Sequence, residues 1–248
     1  MKDVMVSIIM PAYNSSRFIK DSILSVLSQT YSDWELIIVN DHSTDDTVDI
    51  VNFFLEKDRR IKLLYNHDTT RGAYFSRNLG LRSAKGRFIC FLDSDDKWLP
   101  EKLERQLDTM ISGGYYVCHS GYFRISESGT LINSVKVMEK VTYHDQLKSN
   151  RIANLTGIYD SHKIPIVEQK NVGHEDYDMW LNIIKHAPSF GINEPLAYYR
   201  VVDGSLSSNK IKAALWHYSI LQSQSDIGFI RRTYYFFTYI YHAIKKRF

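Results

Sequence analysis

The stretch Arg87-Phe-Ile-Cys-Phe-Leu-Asp-Ser-Asp-Asp-Lys-Trp-Leu-Pro100 decides how the rest of the chain is read. Phe88 to Leu92 are apolar or aromatic without a break, which predicts a short strand buried on both faces. The strand runs out into three carboxylates, Asp93, Asp95 and Asp96, with the small Ser94 between the first two. Residues i and i+2 of an extended segment point to the same side, so Asp93 and Asp95 can converge on one point. Two anionic groups aimed at one point repel unless a cation joins them, and a hard divalent ion, Mg²⁺ or Mn²⁺, is the natural occupant. Such ions complete their shell with water and substrate phosphates, so a nucleoside diphosphate is the expected ligand. Pro100 can then open a helix whose Leu103, Leu107, Met110 and Ile111 share a face. A buried strand, an acidic tip and a helix start place the cluster where open α/β sheets bind ligands. The plainer alternative is an acidic loop that caps the following helix.

Working towards the N-terminus, strand and helix alternate at short intervals. Strands are expected at Val4–Met10, Trp34–Val39 and Ile61–Tyr65, with helices between them. Ser15 or Ser16 can cap the first helix, and Thr44 or Asp45 the second. A third helix is expected over about residues 72–83. This alternation implies an α/β fold, a Rossmann-like, mainly parallel sheet with helices on both faces. Four polar points then fall at strand ends on one edge of the sheet: Pro11-Ala12-Tyr13-Asn14, Asp41, Arg71 and the Asp93–Asp95 pair. A carboxylate such as Asp41 can accept an N–H from a pyrimidine, and Arg71 can offset diphosphate charge. Each alone has a bland reading as a strand end, a turn or a solvated loop. Their shared location favours the joint one.

Beyond Ser112 the pattern changes. Tyr115–His119, Gly121–Ile125 and Leu131–Val137 read as short strands in an antiparallel excursion. Residues 138–172 carry no clear periodicity. A helix is expected from Tyr177, with Trp180, Leu181 and Ile184 on its apolar face, and a last strand at Leu196–Val202.

Composition narrows the class. The 248 residues are 44% hydrophobic with net charge +3, enough for one sizeable core and an appendage. Nothing in this balance calls for a nucleic-acid partner. Cys90 and Cys118 sit in apolar runs and read as core residues. Met1-Lys2-Asp3 leads straight into a strand rather than a signal peptide, and no apolar run reaches about 18 residues. A cytoplasmic location is expected. There is no Gly-x-Gly-x-x-Gly after the first strand, no Gly-Lys-Ser/Thr phosphate loop and no His-Glu-x-x-His helix.

Val6-Ser-Ile-Ile-Met-Pro-Ala-Tyr-Asn14, Ile38-Val-Asn-Asp-His-Ser-Thr-Asp45 and Phe91-Leu-Asp-Ser-Asp-Asp96 together resemble the family 2 glycosyltransferases of the GT-A fold. Arg77-Asn78-Leu79-Gly80 and Gly173-His174-Glu175-Asp176 match that family in order, so the resemblance covers roughly residues 4–205. It implies an inverting transferase that uses a nucleotide-sugar donor, commonly a UDP-sugar, and a saccharide or lipid-linked oligosaccharide acceptor. It also implies that Asp41 reads the base, that Asp93 and Asp95 hold the donor through Mn²⁺ or Mg²⁺ beside Pro11, Ala12, Tyr13, Ser94 and Arg71, and that Asp176 is the catalytic base. Asp176 at a helix start is equally suited to capping. Family members often carry a His shortly after the Tyr-Arg of the last strand; here Val202 stands there and Asp203 follows. A sugar nucleotidyltransferase and a catalytically silent sugar- or partner-binding subunit are the rival readings. The expected division is a domain over 1–209, with a nucleotide-binding half at 1–112 and an acceptor half at 113–209, and a tail at 210–248.

The tail is aromatic and basic, with seven Lys or Arg against one acid, Asp226. Residues 230–248 set an aromatic block between two basic clusters, too short as a helix to cross a bilayer. A peripheral position on the cytoplasmic face of a membrane is expected for it. A helix packed back on the domain, or a homodimer interface, is the alternative.

Overall fold

The computed structural model of the chain describes residues 5–202 and 210–245. Val4, Asp203, Lys246 and Arg247 of the sequence reading lie outside them. The first half follows the expected alternation: β1 (Val6–Ala12), α1 (Ile19–Leu27), β2 (Trp34–Asn40), α2 (Thr47–Leu55), β3 (Ile61–Tyr65), α3 (Ala73–Ser83), β4 (Phe88–Phe91). After it come β5 (Lys97–Trp98), α4 (Lys102–Gly113), β6 (Val117–Ser126), β7 (Leu131–Val135), β8 (Lys140–Val141) and α5 (Tyr143–Lys148). A 3₁₀ turn at Asn154–Thr156, β9 (Ile158–Asp160), α6 (Glu175–Ile184), β10 (Ser189–Val201), α7 (Lys210–Ser223) and α8 (Phe229–Lys245) complete it.

One sheet runs in the order β3-β2-β1-β4-β9-β6-β10-β5. β3, β2, β1 and β4 are parallel, as are β6 and β10, whereas β9 is antiparallel to both β4 and β6. Because side chains alternate along a strand, consecutive residues of β1 and β4 enter different cores. Val6, Ile8, Met10, Phe88 and Cys90 pack with Ile19, Ile23, Val51, Leu103 and Leu107 on one face. Ile9, Ile89 and Phe91 pack with Leu81, Trp180 and Ile183 on the other. Burial on both faces is why these strands read as unbroken apolar runs. Gly80 lets α3 lie close to the sheet, since a Cβ there would come within 2.7 Å of Ile9. Cys90 and Cys118 are free and buried, and burial pushes both thiols up to about 12.

Several boundaries differ from the sequence reading. The two strands expected over Tyr115–Ile125 are one ten-residue strand, β6. The last strand begins at Ser189 rather than Leu196 and carries irregularities around Pro195. α6 begins at Glu175, and α4 at Lys102 with Pro100 before it. Neither Ser15 nor Ser16 caps α1 through its side chain; instead the Ser15 carbonyl accepts the Phe18 and Ile19 N–H groups. The two tail helices pack inward through Ile220, Leu221, Ile227 and Tyr235 against Leu147, Tyr177 and Leu181.

Candidate active site

The carboxyl ends of β1, β2 and β4 open into a cavity of about 470 Å³. Its walls are Pro11 to Ser15 and Phe18, Asp41, then Ala73, Ser76 and Arg77 of α3, Asp93 to Asp95, and Val202. Pro11, Ala12, Tyr13, Asp41, Asp93, Ser94 and Asp95 are thus gathered at one place. Arg71 is exposed on the loop before α3 and does not line the cavity; nor does Asp176.

The first two strand ends are knitted to each other. Asn14 and His42 both adopt left-handed backbone, at φ 45° and 61°. Asn14 donates its N–H to Ser43 Oγ at 3.0 Å, and its side-chain oxygen accepts the Thr44 N–H at 2.8 Å. Asp45 accepts from Ser16 N–H at 3.0 Å and from Thr47 Oγ1 at 2.5 Å. Burial works against its charge, but these bonds bring its carboxyl down to about 2. Asp41 is buried, with one oxygen accepting from Asn66 Nδ2 and the other from Gly72 N–H, both at 2.7 Å. Each carboxylate oxygen keeps a second lone pair for a ligand donor.

The three carboxylates after β4 have three different fates. Asp93, about a third exposed, pairs with the buried Arg77 guanidinium at 2.6 Å. Asp95 forms no ion pair among the described residues, and burial first, then the Asp93 charge, push its carboxyl up to about 6. Asp96 turns away from the cavity, and its Oδ1 accepts the backbone N–H of Arg200 at 2.8 Å. Arg200 also donates to the Asp95 carbonyl at 2.8 Å and to the Glu127 carbonyl at 2.9 Å. β10 therefore brackets the acidic turn from behind. Ser94 holds it in front, its hydroxyl sharing a hydrogen bond of 2.7 Å with Ser15 and its carbonyl accepting from Ser22 at 2.8 Å.

A divalent cation fits this turn. At Asp95, burial and the Asp93 charge outweigh the backbone hydrogen bond and the Arg200 and Arg77 charges, an imbalance that a cation would relieve. No group of three or more His, Cys, Asp or Glu converges among the described residues, so water and donor phosphates would fill the remaining positions.

Arg77 is the residue that sequence reading undervalued. It joins the acidic turn to α6, because the charges of Asp93, Asp176 and Glu175 all act on it. Its Nη1 donates to Gln169 Oε1 at 3.1 Å, and its Nε has no partner. The neighbouring Asn78 exchanges two 2.8 Å hydrogen bonds with the Gln169 backbone, pinning the segment that leads into α6. Glu175 is pushed up by burial, with Arg77 opposing. At Gly173, φ is +85° and a Cβ would strike the Trp216 indole of α7, so only glycine suits this approach to α6. The Trp216 ring meets His174 edge-on at 5.2 Å. The signal for Arg77 was its position in the first turns of a helix that starts at the ligand edge. Trp216 had no such signal, being far away in sequence.

Chemically, the arrangement offers oxygen donors for a cation, a buried guanidinium for phosphate charge and two carboxylates at a helix start. The sequence pattern of Glycosyl transferase family 2 matches residues 7–171. A Bacillus subtilis protein named for glycosyl transfer in teichuronic acid biosynthesis, TuaG, is 38% identical over 246 residues, covering 98% of this chain and 97% of that protein. The Escherichia coli UDP-Glc:alpha-D-GlcNAc-diphosphoundecaprenol beta-1,3-glucosyltransferase WfgD is 38% identical over 248 residues, covering 99% of this chain and 96% of that protein. The crystal structure of S. aureus TarS residues 1–349 with UDP-GlcNAc superposes with TM-score 0.75 at 19% identity, over 95% of this chain and 71% of that one. The fold is the GT-A fold.

Proposed function

The chain belongs to the family 2 glycosyltransferases, and from that premise we propose that it moves a sugar from a UDP-sugar to a hydroxyl of a lipid-linked saccharide, with inversion. The likeness to TuaG and WfgD supports an acceptor of cell-surface polysaccharide synthesis presented at a membrane. One observation carries the catalytic reading: buried Arg77 pairs with Asp93 at 2.6 Å and also feels the charges of Asp176 and Glu175 at the start of α6.

In this reading Asp41 accepts an N–H of the uracil ring, and Pro11, Ala12 and Tyr13 form the wall beside it. Asp93 and Asp95, with Ser94 between them, hold Mn²⁺ or Mg²⁺, which when bound offsets charge on the diphosphate. Arg77 adds fixed positive charge at the same place, and Arg71, on the exposed loop, is left the outer phosphate or solvent. Asp176 removes the proton from the attacking acceptor hydroxyl. Base and leaving group then lie on opposite faces of the sugar, and one in-line displacement inverts its configuration. The functional division follows, with 1–112 holding the nucleotide and 113–209 the acceptor.

Titrating UDP by calorimetry with and without Mn²⁺, and following hydrolysis of a panel of UDP-sugars, tests this. Affinity should rise with Mn²⁺, and Asp95→Ala should abolish turnover as excess chelator does. Equal affinity with and without metal, together with full activity in chelator, would reject the metal and leave a site built on arginine.

A further inference from the structure

α8 carries two apolar faces, and only one of them is covered. Tyr235 is buried, stacks on His144 and shares a hydrogen bond with it at 2.7 Å. Tyr239 stacks on His217 at 3.9 Å, and Arg232 donates to the Gln224 and Ile227 carbonyls at the end of α7. This inner face is core. The opposite face presents Ile230, Tyr234, Phe237 and Tyr241, exposed by 83, 56, 66 and 61%. Their spacing of four, three and four residues sets them in one stripe about 17 Å long.

Charge identifies the cover. Residues 210–248 hold seven Lys or Arg and one acid, and Asp226, that acid, is already bonded to Lys185 and Tyr143. Exposed Arg231 lies beside Ile230 within the stripe's first turn. Two tails with this balance of charge brought together would repel. The four stripe side chains expose on the order of 500 Å², short of the roughly 800 Å² per partner of a standard protein interface. An anionic lipid surface matches both features: headgroups take the cations, and Tyr and Phe favour the water–lipid boundary. No helix among the described residues is long and apolar enough to cross a membrane, so the stripe lies on the surface.

We propose that the Ile230–Tyr234–Phe237–Tyr241 stripe of α8 is an interfacial docking face for anionic lipid; its value to the enzyme rests on the lipid-linked acceptor proposed above. The covered face of the same helix reaches the catalytic helix through a stack of three rings. Tyr239 lies on His217, and His217 lies on Tyr177 at 5.0 Å, next in sequence to Asp176. Docking the outer stripe therefore sets the acceptor side of the site at a fixed height above the headgroups.

Flotation of the full chain with phosphatidylcholine vesicles, with and without phosphatidylglycerol, tests the face. The protein should float with phosphatidylglycerol at low salt and be released by high salt. The double substitution I230E/F237E should lower partitioning by about two orders of magnitude while melting and donor hydrolysis stay unchanged. A parent chain that stays in solution, or a double variant that floats as well as the parent, overturns the proposal. So does a dimer in sedimentation that the substitution dissolves while neither protein floats. If the double variant fails to fold, Phe237→Trp in the parent sequence gives a second reading: brominated phosphatidylglycerol should quench that residue, and the absence of added quenching over the parent rejects lipid contact. Transfer onto a short-tailed, water-soluble acceptor reports separately on the function. A chain that floats without transferring loses the functional reading and keeps this one; one that transfers without floating does the reverse.

Discussion

The parallel half of the sheet, β3-β2-β1-β4, and the mixed half, β9-β6-β10-β5, are held by different forces. β1, β2 and β4 are buried along their whole length; one polar knot, Ser7 with Glu35 and Lys62, sits at the strand starts, and a second, Asn14 with Ser43 and Thr44, links the loops beyond β1 and β2. In the mixed half, Arg200 ties β10 to the acidic turn, Arg87 ties Asp160 of β9 at 2.6 Å, and His119 bonds Ser189 across β6 and β10 at 2.7 Å. Apolar packing is non-directional and tolerates small repacking. Directed polar links fix positions, and fail when one partner goes. The cavity draws a wall from the first half and its bracket from the second.

Three tests probe that contrast, the second of them a pair of variants. Asp176→Asn, in the mixed half, should cut transfer by about two to four orders of magnitude while nucleotide binding holds. Near-normal turnover would reduce Asp176 to a helix cap. Arg200→Ala should cost about 2–3 kcal/mol in urea melts and weaken nucleotide binding, because it strips the Asp95 and Glu127 carbonyls of their donor. Ile38→Val in β2 should cost about 1 kcal/mol and leave binding alone. If the two variants lose affinity alike, the contrast between the halves collapses.

The third concerns acid. Burial first, then nearby His174, lower the His217 imidazole from its ordinary 6.5 to about 3. The unfolded chain then takes up its proton before the folded one does. The stability His217 carries is complete above about pH 6.5 and is lost as pH falls from there towards 3, reaching about 1–2 kcal/mol by pH 5. Near-UV dichroism of the aromatic-rich tail should weaken over that interval, and His217→Phe should flatten the dependence. His119, held neutral at about 4 by burial, pulls in the same direction from the mixed half.

The same contrast explains what could be read from sequence. Apolar runs with helices at regular intervals made β1 to β4 legible, and strand ends located Pro11 to Tyr13, Asp41 and the Asp93–Asp95 pair. Gly121 divided β6 on paper because glycine reads as a break. In the fold, a Cβ there would come within 3.1 Å of Glu194, where β10 is irregular. Gly191, Asn193 and Pro195 hid the first half of β10 in the same way. Residues 138–172 had no periodicity because pairs such as Asn78–Gln169 and Arg87–Asp160, each more than seventy residues apart, hold them in place. Arg71 drew attention by closeness in sequence to the ligand edge, while the cation that reaches Asp93 is Arg77, about one turn into α3. The tail posed a choice between membrane face and packed helix, and α8 has a packed face as well as an exposed one.

Arg200 also sets a timetable for the chain. Its bonds to residues 95 and 96 span 105 and 104 positions, and those to 126 and 127 span 74 and 73. Contacts of that range close late. At roughly 5–20 residues per second, a ribosome finishes β4 several seconds before β10 exists. A nascent chain thus exposes Asp93 and Asp95 with no bracket behind them, and on refolding, nucleotide binding should recover after the far-UV signal. A chain cut short before β10 keeps residues 1–112 but loses the Arg200 bracket, and should hold UDP more weakly than the full chain.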